Sequence, residues 1–138
     1  MCLFISVTPC DAEANVSGVK RVLKGASGLS VFPGQEGHRT RFFLQNNYHC
    51  ACDLLETGGQ VAGGVIELNT GGCEAVEQVA NAMVRSGFAP FELRVCWAEQ
   101  RDREIVELDV EEFREFVRAG SFDGGTVYVI SGESWKSA

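Results

Sequence analysis

One apolar stripe constrains the fold of this 138-residue chain more than any other feature of its sequence. Between positions 73 and 86, apolar side chains recur at the spacing of one helix face, at Val76, Val79, Ala80, Met83 and Val84. A helix of this kind buries its apolar stripe against other elements. Short apolar runs lie on both sides of it along the chain, so the sequence predicts a helix packed on a β-sheet.

Further elements are predicted from apolar runs and capping residues. Residues 2–7 read as a strand, and a helix follows with Thr8 as its N-cap, Pro9 at its first position and Gly25 at its end. A polar turn separates two short apolar runs, which predicts a hairpin with strands at 29–32 and 40–45. Further strands are predicted at 65–68, 91–98, 104–108 and 126–130.

A capping box predicts the third helix. Asp109 and Glu112 stand three residues apart directly before an apolar face, and Gly120 ends that face. Hairpins then alternate with single helices along the chain. This order predicts an α+β fold, with a mostly antiparallel sheet, about three helices on one face, and a ferredoxin-like core with additions. We expect one domain over residues 1–138, with residues 131–138 as a loose tail.

The distribution of charge limits the partners of the chain. The net charge is −7, and one segment of the sequence is densely acidic. Such a surface repels the phosphates of nucleic acids and anionic lipids, so neither is expected as a partner. The segment is interpreted either as a solvated face that keeps the protein soluble or as a contact for a basic protein. The residues expected to contact such a partner are Glu104, Glu107, Glu111, Glu112 and Glu115.

Apolar runs in this sequence are short. None approaches the roughly 20 residues of a membrane span, so no membrane association is expected. The N-terminus lacks the basic region and the long apolar stretch of a signal peptide. A cytoplasmic location is therefore expected, where cysteines stay mostly reduced.

The segment His49-Cys50-Ala51-Cys52 is the candidate site. Thiolate sulfur and neutral imidazole both bind zinc and copper(I), and a structural zinc site normally has four protein ligands. Cys2 and His38 are the nearest further candidates. A lone Cys-x-Cys lacks the paired Cys-x-x-Cys elements of zinc motifs, so a half-buried thiol pair under a loop is the alternative interpretation. Because early strands in small sheets are usually neighbours, we expect Cys2 to lie near Cys50 and Cys52.

Three hypotheses of function follow from these features. In the first, a non-enzymatic binding or regulatory protein holds zinc through Cys2, His49, Cys50 and Cys52. In the second, the acidic segment makes the chain an immunity-type inhibitor of a basic toxin. In the third, Cys2, Cys50 or Cys52 is the nucleophile of a thiol-dependent enzyme. The first is favoured. Metal-dependent hydrolysis and serine catalysis are disfavoured, because the sequence has neither a His-Glu-x-x-His motif nor a Gly-x-Ser-x-Gly elbow.

Two short motifs carry a resemblance to known proteins. Met1-Cys2-Leu3-Phe4-Ile5 and His49-Cys50-Ala51-Cys52 resemble an uncharacterised family of small bacterial proteins, which open with Met-Cys-His-Phe and carry Gly-His-Cys-Asp-Cys-Gly after a hairpin. The resemblance implies that these cysteines and His49 act together, and it implies no activity. Leu3 stands where the family has histidine, which removes one possible ligand. The chain also departs from the family at Tyr48, Ala51 and Asp53.

Overall fold

A computed structural model describes residues 2–46, 50–56 and 65–132 of the chain. Over these ranges it contains a six-stranded sheet, a two-stranded sheet, three α-helices and a 3₁₀ helix. The strands are β1 (Leu3–Pro9), β2 (Ser30–Glu36), β3 (Arg39–Gln45), β4 (Val65–Glu67), β5 (Phe91–Trp97), β6 (Glu104–Asp109), β7 (Ser121–Asp123) and β8 (Thr126–Ser131). The helices are α1 (Val16–Ser27), α2 (Thr70–Arg85), α3 (Val110–Arg118) and the 3₁₀ helix Cys52–Leu54.

The large sheet has the strand order β2-β3-β1-β5-β8-β6. Its neighbouring strands are antiparallel except β6 and β8, which are parallel. The predicted α+β class, with a mostly antiparallel sheet and packed helices, is confirmed. The predicted hairpin of β5 and β6 is wrong, because β8 lies between them. The parallel pair makes the sheet mixed. The predicted ferredoxin-like core is not confirmed and stays a prediction.

One face of the sheet forms the core with the helices. Leu3, Ile5 and Val7 alternate along β1, are fully buried, and share one apolar cluster with side chains of α1, α2 and α3. The predicted stripe of α2 belongs to the same cluster, with Val79 and Met83 fully buried. Burial of each such side chain contributes about 1.5–3 kcal/mol. The core therefore holds β1, which lies between β3 and β5 in the sheet, against the helices.

Helix α1 begins later than the sequence predicted. Thr8 and Pro9, predicted to start it, instead end β1 and pair with β5. The N-cap is Asn15, whose side chain accepts the backbone N–H three residues later. Gly28, in the left-handed conformation with φ of 70°, ends the helix three positions beyond the predicted Gly25. Strand pairing thus prevails over the local capping signal at the end of β1.

The other elements lie close to their predicted positions. Helix α2 begins at Thr70 rather than at residue 73, and the predicted capping box of α3 is confirmed. Strand β7, which was not predicted, pairs with β4. Strand β8 extends through Ser131, and the rest of the predicted tail, residues 133–138, lies outside the described residues. None of the helices in the described ranges is long and apolar enough to cross a membrane.

Candidate metal centre

The start of β1 is paired on both sides. The N–H of Ala98 donates to the carbonyl of Cys2 at 2.9 Å, which continues the pairing with β5. On the other side, the N–H of Ala51 donates to the carbonyl of Leu3, also at 2.9 Å. Ala51 is fully buried there. The chain after β3 therefore returns to β1 and places the two cysteines that flank Ala51 beside its first residues.

A backbone hydrogen bond connects Cys50 to Asn46, the residue that follows β3. The N–H of Asn46 donates to the carbonyl of Cys50 at 3.2 Å. His49, predicted as a metal ligand, is one of residues 47–49 and lies outside the described residues. Its role as a ligand therefore stays a prediction.

Three thiols meet at this point. The Sγ atoms of Cys2, Cys50 and Cys52 all lie within 4.8 Å of one another. The thiol of Cys50 donates to Sγ of Cys52 at 2.9 Å, and the backbone N–H of Leu3 donates to the same sulfur at 3.2 Å. None of the three is in a disulfide. The predicted proximity of Cys2 to the Cys-x-Cys pair is confirmed, and the three thiols lie close enough to hold a metal ion.

The surroundings of Cys52 disfavour its ionisation. Burial raises the pKa of the Cys52 thiol, and its hydrogen bond with Cys50 raises that pKa further, while the N–H of Leu3 lowers it. A thiol with a raised pKa stays protonated at neutral pH, and the protonated form is a poor nucleophile. A bound metal ion changes this balance, because a coordinating thiol is deprotonated. The environment of Cys52 therefore disfavours a role as a free nucleophile at neutral pH.

The N-terminus of α2 holds the 3₁₀ helix that contains Cys52. The side-chain amide of Asn69 donates to the carbonyl of Asp53 at 2.9 Å, and its backbone N–H donates to the carbonyl of Leu54 at 2.7 Å. Its side-chain oxygen also caps α2 by accepting the N–H of Gly72. Sequence reasoning missed Asn69. The available signal was an asparagine directly before Thr-Gly-Gly at the start of the apolar stripe.

The 3₁₀ helix and α2 approach each other most closely at Gly72. A Cβ at this position would lie 2.9 Å from the carbonyl oxygen of Leu54 and 3.0 Å from Cβ of Leu68. Both distances are shorter than ordinary van der Waals contact, so this packing requires glycine. Gly72 therefore fixes the distance between α2 and the segment that carries Cys52.

The remaining candidate ligands lie elsewhere. His38 lies in the turn before β3, at the opposite end of that strand from Cys50, and seven strand residues span about 20 Å. Cys73 is in α2 and packs against the core, and the buried Cys96 is in β5. Cys10 lies in the bend after β1, and not in the helix that the sequence predicted to begin at Thr8 and Pro9.

The five predicted acidic contact residues are all exposed, on β6 and α3. Several of them have partners within the chain. Glu104 accepts a hydrogen bond from the hydroxyl of Thr126, Glu112 completes the capping box of α3, and Glu111 lies 4.0 Å from Arg114. These contacts explain part of the acidic surface by local structure, and binding of a basic partner stays a prediction.

The fold and the cluster together define an α+β protein with a group of three thiols that can hold a metal ion. Comparison with protein-family models, curated proteins and solved structures finds no match to this chain. Function is therefore inferred from the residues of the cluster and their surroundings.

Proposed function

We propose that this protein is a non-enzymatic binding or regulatory protein that holds a zinc ion through Cys2, Cys50 and Cys52, with His49 as the fourth ligand. The observation that carries the proposal is the grouping of three sulfur atoms, from two distant segments, within 4.8 Å. Thiolates are soft ligands and favour zinc or copper(I) over magnesium or calcium. Zinc is the metal that this ligand set most commonly binds in structural sites.

The geometry of the thiols is close to that of a zinc site. Zinc–sulfur bonds of about 2.3 Å in a tetrahedron place sulfur atoms about 3.8 Å apart. The Cys50 and Cys52 sulfurs are 2.9 Å apart, and no pair in the group exceeds 4.8 Å. Movements of about 1 Å would therefore bring the three sulfur atoms to three of the four ligand positions of a tetrahedral zinc ion. His49 precedes Cys50 directly in the sequence, and we propose it as the nitrogen ligand that would complete the tetrahedron.

A structural or regulatory role fits the site better than catalysis. Three cysteines and one histidine fill all four positions of a zinc ion, whereas catalytic zinc keeps one position open. The raised pKa of Cys52 also opposes a role as a free nucleophile. The backbone pairing of Cys2 and Ala51 to neighbouring strands holds the ligands in place before a metal arrives.

Elemental analysis of protein purified without a histidine tag tests the proposal. We expect about one zinc per chain in the wild type and loss of that zinc in Cys2→Ser and Cys52→Ser. Cys10→Ser is the matched control, because Cys10 is also half-buried and lies outside the group. Less than about a tenth of an equivalent of any transition metal in the wild type at neutral pH would overturn the proposal. Stoichiometric copper in place of zinc would overturn the choice of metal.

A second candidate function is inhibition of a basic protein, as in immunity proteins, and the exposure of all five carboxylates on β6 and α3 favours it. Complementary charge speeds association and makes it sensitive to salt. Glu107→Lys combined with Glu115→Lys is expected to abolish capture of a basic partner at low salt. Failure of the wild-type protein to retain any basic protein from cells of its source would contradict this function.

A further inference from the structure

We propose that the three-thiol group is a redox switch in which a peroxide oxidises Cys2 and Cys52 to a disulfide and thereby releases the zinc. The proposal rests on the zinc centre described above and adds its regulation. Three observations carry it: the proximity of the sulfurs, their unequal exposure, and the attachment of two of them to separate segments of the chain.

Exposure distinguishes the three thiols. Cys50 is buried, with 6% of its surface exposed, whereas Cys2 and Cys52 are half-buried. Oxidation of cysteine follows thiolate character and exposure. A peroxide from solvent therefore reaches Cys2 or Cys52 before Cys50.

Chain geometry also selects this pair. Cys50 and Cys52 are separated by one residue, so a disulfide between them closes a very short ring with strained geometry. Cys2 and Cys52 lie on different segments and are free of this constraint. The N–H of Leu3 donates to Sγ of Cys52 at 3.2 Å, which holds that sulfur beside the peptide bond that follows Cys2.

The chemistry requires one peroxide and two protons. A thiolate of the pair attacks the peroxide oxygen, the O–O bond breaks, and a sulfenic acid forms as the first water leaves. The second thiolate attacks the sulfenic sulfur, so that an S–S bond forms and hydroxide leaves as the second water. Two electrons pass from the two sulfurs to the peroxide, and zinc itself is not oxidised or reduced. Of the three thiols only Cys50 then remains as a ligand, which is too few to retain zinc.

The disulfide joins the same two segments as the zinc ion. One end is the residue before β1, and the other is the first residue of the 3₁₀ helix. The covalent link therefore replaces the metal link, and the fold is expected to persist while the metal leaves. The oxidised protein is then a folded, metal-free state, which a reducing thiol and zinc convert back to the metal-bound state.

The test treats zinc-loaded, untagged protein with stoichiometric hydrogen peroxide and follows zinc with a coloured chelator. We expect release of about one zinc per chain and a mass loss of about 2 Da that peptide mapping assigns to a Cys2–Cys52 link. The circular dichroism spectrum is expected to stay unchanged, and a dithiol reductant is expected to restore zinc binding. Retention of zinc after oxidation, or a disulfide other than Cys2–Cys52, would overturn the proposal.

Two controls separate the failure of the switch from the failure of the zinc site. Cys10→Ser is expected to release zinc as the wild type does, because it lies outside the group. Zinc analysis before peroxide treatment tests the zinc site alone. Wild-type protein without zinc would contradict both proposals, whereas zinc-loaded protein that keeps its metal in peroxide would contradict only the switch.

Discussion

The backbone N–H of Leu3 donates a hydrogen bond to Sγ of Cys52, 3.2 Å away and 49 positions later in the chain. The carbonyl of Leu3 accepts a hydrogen bond from Ala51, so both backbone groups of this residue hold the segment that carries Cys50 and Cys52. These contacts exist only when β1 is paired in the sheet. The three thiols are therefore grouped only in the folded chain, which couples metal binding to folding.

Removal of the metal is expected to lower the free energy of unfolding. A ligand that binds only the folded state stabilises it by about 4 kcal/mol when present at about 1,000 times its Kd. Thermal unfolding of the untagged protein, with zinc and with an excess of chelator, measures this difference. The difference in Tm between zinc-loaded and chelator-treated protein is expected to vanish in Cys52→Ser and to persist in Cys10→Ser. Equal Tm values for loaded and chelated wild type would count against the coupling.

Asn69→Ala is expected to weaken zinc binding, and Asn15→Ala is not. Both residues are N-caps that accept a backbone N–H at 2.8 Å, so each substitution is expected to cost about 1 kcal/mol of stability. Only Asn69 also donates to the carbonyl of Asp53, next to Cys52. Competition with a coloured chelator measures the zinc Kd, which is expected to rise several-fold in Asn69→Ala alone. The same Kd in both variants would show that Asn69 does not position the site.

Gly72→Ala is expected to destabilise the protein, whereas Gly71→Ala is expected to be neutral or stabilising. Both glycines lie in the first turn of α2. The Cβ at position 72 would meet backbone of Leu54 at 2.9 Å, while the nearest atom to a Cβ at 71 is 3.5 Å away. Overpacking costs about 1–3 kcal/mol, and alanine in place of glycine in a helix gains up to about 1 kcal/mol. Urea unfolding compares the two, and a larger loss at 71 than at 72 would refute this packing.

Arg94→Met is expected to destabilise the protein far more than Arg103→Met. The Arg94 guanidinium is 6% exposed and lies 3.0–3.3 Å from the carboxylates of Glu36, Glu92 and Asp102. Its removal takes one arginine partner from Glu36 and Glu92, which keep Arg39, and deprives Asp102 of its bonds to Arg94, at a cost of about 1.5–3 kcal/mol. Arg103 forms an ion pair at the surface, with 64% of its side chain exposed, and its loss is expected to cost less than about 1 kcal/mol. Similar urea midpoints for the two variants would contradict this account of Arg94.

Alkaline pH is expected to destabilise the metal-free protein. Burial raises the pKa of the thiols of Cys52, Cys73 and Cys96 in the folded state. Unfolded thiols titrate near pH 8.5, so above this pH the folded state binds more protons than the unfolded state. The stability that the buried thiols contribute is fully present below a pH of about 8.5. The free energy of unfolding therefore falls as pH rises from there through the folded pKa values. Urea unfolding of chelator-treated protein between about pH 7 and pH 10 measures the change, and a rise over this range would contradict it.

Elements with local signals were predictable from the sequence. The capping box of α3 joins Asp109 and Glu112, which are three residues apart, so both partners are visible in the sequence. Thr8 and Pro9 carry an equally local signal, but pairing of β1 with β5 places them in a strand instead. Thr8 is in a strand because it pairs with Glu92, more than 80 residues away, and no local sequence pattern at Thr8 indicates this pairing.

The candidate site was predictable only in part. The proximity of Cys2 to the Cys-x-Cys pair followed from the expectation that early strands are neighbours, and β1 indeed pairs with β3. Asn69 and Gly72 were missed as supports of the site, because their contacts with Asp53 and Leu54 depend on how α2 packs. The insertion of β8 between β5 and β6 is equally non-local, since it depends on a parallel pairing across α3.

X-ray absorption at the zinc edge, on untagged protein loaded with one equivalent of zinc, identifies the atoms that bind the metal. We expect about three sulfur atoms at about 2.3 Å and one nitrogen at about 2.0 Å from the metal. We also expect that Cys2→Ser lowers the number of sulfur neighbours, while Cys10→Ser leaves the spectrum unchanged. A coordination shell of oxygen and nitrogen alone, or a protein that retains no zinc after desalting, would contradict the assignment of Cys2, Cys50 and Cys52 as metal ligands.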